Sequence, residues 1–243
     1  MLTVLQAFGA HDGSASTAEL ARHTELPKST VHRMIGFLRT AGLVDVNDKG
    51  YVLTARMAEL SAAVPSRFSR HMREMLMPGL TDLHGQSGEA VQLAALSGDV
   101  VRTVACVHGR RSAGLMRLLR NASPLSCTAA GKVLLAGSPL LVSRIDANLE
   151  QHTSATITSI SRLHEELAGV RKFGVAFDRG EWRSGLAGVA APVWGPDRVL
   201  LGAISVVGPS ARLRVDEVAP KVRKAAEIAT WEMQSAACAS ASD

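Results

Sequence analysis

Aromatic residues are scarce in this 243-residue chain: three Trp, one Tyr and five Phe make up 4% of it. With no stacking platform for splayed bases, single-stranded nucleic acid is a poor partner. Cysteine is scarcer still, at three, and Cys106, Cys127 and Cys238 include no C-x-x-C pair. That spacing excludes a zinc ribbon and a thioredoxin-type site. An odd number of thiols in a chain long enough to bury its own core reads as reduced cysteine in a cytoplasmic protein. There is no uninterrupted apolar run long enough to span a bilayer. Residues 1–10 lack the basic and apolar regions of a signal peptide. No internal repeat of solenoid or propeller period is present. The charge imbalance is small, 27 basic against 22 acidic residues for a net +5, while 47% of the chain is hydrophobic, which excludes disorder as its main state.

What is present changes character along the chain. Residues 1–55 read as short helices followed by a strand pair. Thr17 is expected to cap a helix over Ala18–His23 through its hydroxyl. After Leu26-Pro27, a second helix is expected from about Lys28 to Ala41, with Pro27 at its entrance and Gly42 as its stop. Val31, Ile35, Leu38 and Met34 recur at three- and four-residue steps as one buried stripe. Lys28, Ser29, His32, Arg33 and Arg39 fall largely outside it. Leu43–Val46 and Tyr51–Leu53 then alternate around Asn47-Asp48-Lys49-Gly50, which is a hairpin. Helix, helix, turn, helix and hairpin in this order make a winged helix-turn-helix.

Such a domain reads duplex DNA when one helix face packs inward and the other carries groups that reach bases and phosphates. Ser29 and Thr30 are short hydroxyl donors, and Lys28 is a long cation. Arg33 can bind guanine O6 and N7 in a bidentate manner, and His32 can contact base or phosphate. Thr17 is placed near the backbone, and Lys49 at the hairpin tip faces a neighbouring phosphate. Between Arg22 and Arg39 four cations face one acid, Glu25, so part of the basic excess is concentrated here.

Residues 56–75 read as a linker helix, and residues 76–243 as an α+β domain with a mostly antiparallel sheet, including strands Glu89–Leu96, Val100–Val107 and Val199–Val207. Ser126-Cys127-Thr128-Ala129-Ala130-Gly131-Lys132 opens a helix that Ser126 or Thr128 can cap. Its first-turn N–H groups beside Ala129 and Ala130 suit a small carboxylate. A plain capped helix packed through small residues explains the same pattern. A P-loop is excluded, because Ser126 stands where its first Gly would be and Val133 where its Mg-binding hydroxyl would be. Arg102, Arg110, Arg111, Arg117 and Arg120 form a basic cluster suited to a surface or a subunit contact. The histidines show no metal-ligand spacing, so neither a metal nor any other cofactor is expected.

Four segments in order, AELARHTELPKSTVHRMIGFLRTAGLV, PLSCTAAGKVLLA, TSATITSISRLHEEL with RKFGVAFDRGEWRSGLAGVAAPV, and LGAISVVGPSARL, resemble the IclR-type bacterial transcriptional regulators over nearly the whole chain. The resemblance implies an N-terminal winged helix, a linker helix and a GAF-like effector-binding domain. It implies homodimers, often paired into tetramers, that bind palindromic operators, mostly as repressors. It also implies that helix 1, starting within Met1-Leu2-Thr3, either lacks the usual leading arm or continues one encoded upstream.

The resemblance further places an effector pocket at Ala129, Ala130, Asp178, Gly188, Ser205 and Val207, with Leu115 and Met116 in its lid. Here Val207 replaces a frequent hydroxyl and Gly188 a frequent cysteine. A roomier, less polar pocket follows, suited to an aromatic or medium-chain carboxylate rather than a two- or three-carbon keto acid. Asp178 either accepts from a ligand hydroxyl or caps the turn before Glu181. Two rival functions remain: a hydrolase using Cys127, whose thiolate the helix start would favour, and a ligand-binding or oligomerisation module that does not touch DNA.

Overall fold

The computed structural model describes residues 1–11, 13–48, 50–54, 56–57, 66–119, 122–142, 145 and 149–240, with backbone alone at 66–69, 116, 140 and 238–240. The chain divides into two compact units, Met1–Pro65 and Ser66–Asp243.

In the first unit, α1 (Leu2–Gly9) buries Val4, Ala7 and Phe8. The next helix, α2 (Thr17–Thr24), is capped by Ser16 rather than by Thr17. Ser16 is extended, its hydroxyl accepts from the Glu19 N–H at 3.3 Å, and its own N–H donates to Glu19 Oε2 at 2.9 Å. Both hydroxyl residues are competent caps, but only Ser16 has a Glu three residues on to close the reciprocal box. Thr17 therefore becomes the first helical residue.

The third helix, α3 (Lys28–Thr40), starts after Pro27 and buries Val31, Ile35 and Leu38 against α1 and α2. It stops at Gly42, whose φ of +70° is open to glycine, while the Leu43 N–H donates to the Leu38 carbonyl at 2.9 Å. Strands β1 (Ser14–Ala15), β2 (Val44–Asn47) and β3 (Gly50–Leu53) form an antiparallel sheet in the order β1-β3-β2. Asn47 pairs with Gly50, so the hairpin tip is tighter than the four-residue connection expected. A Cβ on Gly50 would lie 2.9 Å from the Ala15 carbonyl oxygen, so glycine is what lets β1 pair here.

The second unit opens with α4 (Ser66–Ser87), which buries Met72, Leu76, Leu80 and Leu83 on one face. The linker helix expected over 56–75 falls partly on residues 58–65, outside those described. The described part continues twelve residues beyond Met75 because the apolar stripe does, and it belongs to this unit's core. Then come β4 (Ala90–Ser97), β5 (Val100–Val107), α5 (Ala113–Leu119), α6 (Ala129–Ala136) and α7 (Pro139–Val142). They are followed by α8 (Ile160–Phe173), β6 (Ala176–Asp178), β7 (Leu186–Trp194), β8 (Leu200–Pro209) and α9 (Val215–Ser240).

The five strands form one sheet in the order β5-β4-β8-β7-β6, with every neighbouring pair antiparallel. Strand alternation divides its side chains between two layers. Val91, Leu93, Ile204 and Val206 pack under α4 and α9. Ala94, Ala190 and Ala203 pack under α6 and α8. The fold is α+β, with an antiparallel sheet flanked by helices, and no described helix is long and apolar enough to cross a membrane.

Candidate functional site

On α3 the inward stripe leaves a free face. Lys28, Ser29, His32, Arg33 and Arg39 are exposed and Thr30 is half-buried. Ser29, Arg33, Gly36 and Thr40 lie opposite Val31, Ile35 and Leu38 at three- and four-residue steps, so short and cationic groups run the length of the helix. Thr17 opens α2 and is half-buried. Lys49 lies outside the described residues. Phe37, which no sequence pattern singled out, is 58% exposed on the flank of this face.

In the second unit, a small cavity of about 20 Å³ lies between the start of α6, the end of β6 and the middle strands. Ala129, Ala130, Asp178, Gly188 and Val207 line it, so five of the eight expected effector residues come together. Leu115 packs against the cluster of Ala90, Leu119, Cys127, Trp182 and Val207 that forms one wall. The Met116 side chain lies outside the described atoms. Ser205 is wholly buried on the same strand face as Val207, and its hydroxyl has no hydrogen-bond partner.

The remaining lining residues, Gln92, Val101, Leu119, Ser123, Thr128 and Trp182, were not foreseen. Gln92 could have been found: it is the one amide inside the apolar run Ala90–Leu96. The expected roominess is corrected, because this volume holds about one water. A Cβ at Gly188 would meet only ordinary contacts at 3.5–3.6 Å, so space does exist there. The rest is filled by Trp182 and Leu119, which arrive from segments far apart in sequence.

At the α6 entrance Thr128 is the cap: its hydroxyl accepts from the Gly131 N–H at 3.1 Å and donates to the Pro124 carbonyl at 2.7 Å. A Cβ on Gly131 would fall on the Leu125 carbonyl oxygen and 2.6 Å from Thr128 Oγ1, so glycine is required by the turn folded over the helix start. The open N–H groups thus reduce to those of Ala129 and Ala130, whose residues face the cavity.

Charge is buried beside it. Lys132 is 0% exposed, and its Nζ donates to Glu181 Oε1 at 2.6 Å and Glu166 Oε1 at 3.1 Å. The sequence signal was a lysine inside the apolar helix run Ala129–Ala136. Asp178 Oδ1 accepts from the Glu181 N–H at 2.8 Å, so it caps that turn, and it also faces the cavity. Burial pushes its carboxyl up to about 6, with the Glu181 charge adding to the rise and backbone donors opposing it. Burial also raises the Glu181 carboxyl, against the pull of Lys132.

Cys127 is wholly buried, and burial, followed by the Asp178 and Glu181 charges, pushes its thiol up to about 12. The helix start therefore yields no thiolate, contrary to what the hydrolase reading required. Arg102, Arg110, Arg111 and Arg117 are exposed, and Arg120 lies outside the described residues. No group of three or more metal-ligating side chains occurs among the described residues.

Known proteins match this arrangement along most of the chain. The helix-turn-helix domain of the IclR family matches residues 1–48, and the bacterial transcriptional regulator IclR C-terminal domain matches residues 67–231. The transcriptional repressor IclR of Escherichia coli K12 is 32% identical, over 94% of this chain and 86% of its own. The probable transcriptional regulator SauR of Cupriavidus necator is 32% identical, over 92% of this chain and 91% of its own. The acetate operon repressor of Salmonella typhimurium is 31% identical, over 94% and 86%. Among solved structures, an ICLR regulator from Silicibacter superposes with a TM-score of 0.61 at 28% identity, covering 96% of this chain and 93% of that one. An IclR homologue from Microbacterium hydrocarbonoxydans, complexed with 4-hydroxybenzoate, shares the fold with a TM-score of 0.62 at 21% identity, covering 96% of each chain.

Proposed function

Because the chain belongs to the IclR family of DNA-binding bacterial transcriptional regulators, we propose that it represses a catabolic operon until a small organic acid enters the second unit. The observation that carries this is α3: one face is the core of its unit, and the other presents Lys28, Ser29, His32 and Arg33 to solvent. Arg33 reads a guanine, Ser29, Thr30 and His32 contact bases or phosphates, and Lys28, Thr17 and Lys49 hold the backbone. Two such helices in a homodimer, or a pair of dimers, read a palindromic operator. With roughly six to ten phosphate contacts, affinity falls about 10³–10⁵-fold between ~50 and ~200 mM salt.

The effector is an aromatic or medium-chain carboxylate. Val207, Gly188, Leu119 and Trp182 offer apolar surface, while the α6 entrance at Ala129 and Ala130 offers donors to an anion. Asp178, whose carboxyl sits near 6, takes up a proton readily and can then donate to the bound acid. Leu115, Met116 and Ser205 complete the pocket once it opens. A protein of this fold holds 4-hydroxybenzoate, which supports an aromatic body.

Footprinting on DNA flanking the gene, with salt titration and with benzoate or pyruvate added, tests the proposal. Protection of a palindromic site, relieved by benzoate below the concentration at which pyruvate acts, is the expected result. Salt-insensitive binding, or binding unaltered in Arg33→Ala, overturns the assignment of α3. Relief by pyruvate alone overturns the effector class.

A further inference from the structure

A large apolar side chain on a cationic helix face needs an account. Phe37 is 58% exposed on α3, in a chain where aromatics are 4% of residues, while Val31, Ile35 and Leu38 of the same helix are at most 1% exposed. Its neighbour Gly36 is also unexplained by the fold. Gly36 lies in the helix interior, where glycine is unfavourable, and a Cβ built there meets nothing within 4 Å. No packing within the unit demands its lack of a side chain. Together the two residues make an apolar projection beside a strip of bare backbone. Exposed Arg33, four residues before Phe37, shares its side of the helix, while exposed His32 and Arg39 project from the far side of the cationic face.

We propose that Phe37 is a sequence-reading residue that packs on the C5-methyl group of a thymine in the operator major groove, with Gly36 providing the clearance that lets the base edge approach. This rests on the DNA-contact role proposed above for α3. Arg33, one turn away on the same side, and the cationic face beyond it select duplex DNA as the occupant, because they draw the phosphates of a groove rather than a hydrophobic protein surface. Helical side chains lean towards the N-terminus of their helix, so the Phe37 ring covers the turn carrying Arg33. One turn is about 5.4 Å of helix, against about 3.4 Å between base pairs. Arg33 and Phe37 therefore address base pairs one or two steps apart. The half-site is expected to contain a guanine and a thymine at that separation, the cation on O6 and N7 and the ring on the methyl.

The full-length protein first selects its preferred site from a random duplex pool. Each thymine of that site is then replaced in turn by uracil, which lacks only the C5-methyl, and affinity is measured by fluorescence anisotropy. One uracil per half-site is expected to weaken wild-type binding about fourfold, the worth of burying one methyl. Phe37→Ala should bind the thymine site correspondingly weakly and become indifferent to that uracil, while Phe37→Leu should stay sensitive to it.

Indifference of the wild type to uracil at every position, or an unchanged uracil penalty in Phe37→Ala, overturns the proposal. If Phe37→Ala instead lowers the oligomeric mass by light scattering and keeps the penalty, the ring belongs to a contact between copies, and the proposal is equally overturned. Arg33→Ala separates the premise from the inference. Lost affinity in Arg33→Ala with no uracil effect leaves α3 on the DNA and removes only Phe37 as a reader. Unchanged affinity in Arg33→Ala removes α3 itself.

Discussion

Replacing Lys132 by Met tests the electrostatics of the second unit at its most exacting point. The substitution keeps the length and apolar stem of a side chain that is 0% exposed, and it removes the ammonium held 2.6 Å from Glu181 and 3.1 Å from Glu166. The two carboxylates respond differently to that loss. Glu166 has 37% of its side chain exposed and turns to water, whereas Glu181 has 9% exposed and is left as a buried, uncompensated charge. Breaking a buried pair from one side costs about 3–5 kcal/mol. In a unit of this size, at roughly 2–4 °C per kcal/mol, the melting temperature falls by about 6–20 °C.

Adding Glu181→Leu to Lys132→Met removes the stranded charge. The double variant should recover most of the loss, since an apolar replacement of the whole pair is often neutral. Glu166→Ala alone should cost no more than about 1 kcal/mol. The assay is urea unfolding at pH 7.5, followed by the fluorescence of Trp182 and Trp194. The pH dependence has a definite sign. A buried carboxyl raised above its ordinary value is stabilised while protonated, and that stability is lost as pH rises through the raised value. Lys132→Met should therefore be least damaging in acid and most damaging at neutral pH. A loss below about 1 kcal/mol at pH 7.5, or a double variant as unstable as the single, would refute the reasoning.

Three further outcomes are expected. Ser16→Ala should cost the first unit about 1 kcal/mol in thermal melts and Thr17→Ala only a few tenths; equal costs would return the cap to Thr17. Asp178→Asn keeps the acceptor for the Glu181 N–H but removes a carboxyl raised from 3.8 to about 6. The native protein should lose up to roughly 3 kcal/mol from this group as pH rises between about 4 and 6, and a slope undiminished in the variant, followed by denaturant melts, would exclude Asp178 as a source. Gly36→Ala should stabilise the first unit by up to about 1 kcal/mol, as alanine does in an exposed helix interior, while weakening binding to the selected duplex; tighter binding in anisotropy would show that no clearance is needed there.

The legibility of each feature in the sequence depends on how local it is. The α3 stripe of Val31, Ile35 and Leu38, the Gly42 stop and the apolar runs of β4, β5 and β8 are set by neighbours within a few residues, so local pattern finds them. The α2 cap lies one residue before the expected Thr17, Ser16 and Thr17 being chemically alike. Only the spacing to Glu19 separates them, and that spacing was present in the sequence. Five residues of the cavity were reached through the family resemblance, since they sit on motifs with fixed spacing. Its volume was not legible. Val207 and Gly188 remove bulk locally, but Trp182, in the turn before β7, and Leu119, from a segment tens of residues away, restore it, and no periodic pattern records that. The burial of Lys132 is not legible, because an isolated lysine in an apolar run looks the same whether it faces water or Glu181.

On the effector site proposed above, the small cavity also constrains how the ligand acts. Two contacts pin the segment across its mouth: Thr103 Oγ1 donates to the Leu119 carbonyl at 2.7 Å, and Val101 and Ser123 exchange backbone hydrogen bonds at 2.9 and 3.0 Å. An acid larger than a water enters only if Leu119 and Trp182 separate, which exposes the apolar cluster they share with Val207 and Cys127. The effector's apolar body must then replace the contacts the cluster has lost, while the α6 entrance takes its charge. A very small acid satisfies the second demand and not the first. On that proposal the ligand binds an opened arrangement better than the closed one, and this difference in affinity is what allows it to shift the equilibrium. Had the pocket been permanently open, as the substitutions at Gly188 and Val207 alone suggested, the acid could bind tightly and still shift nothing.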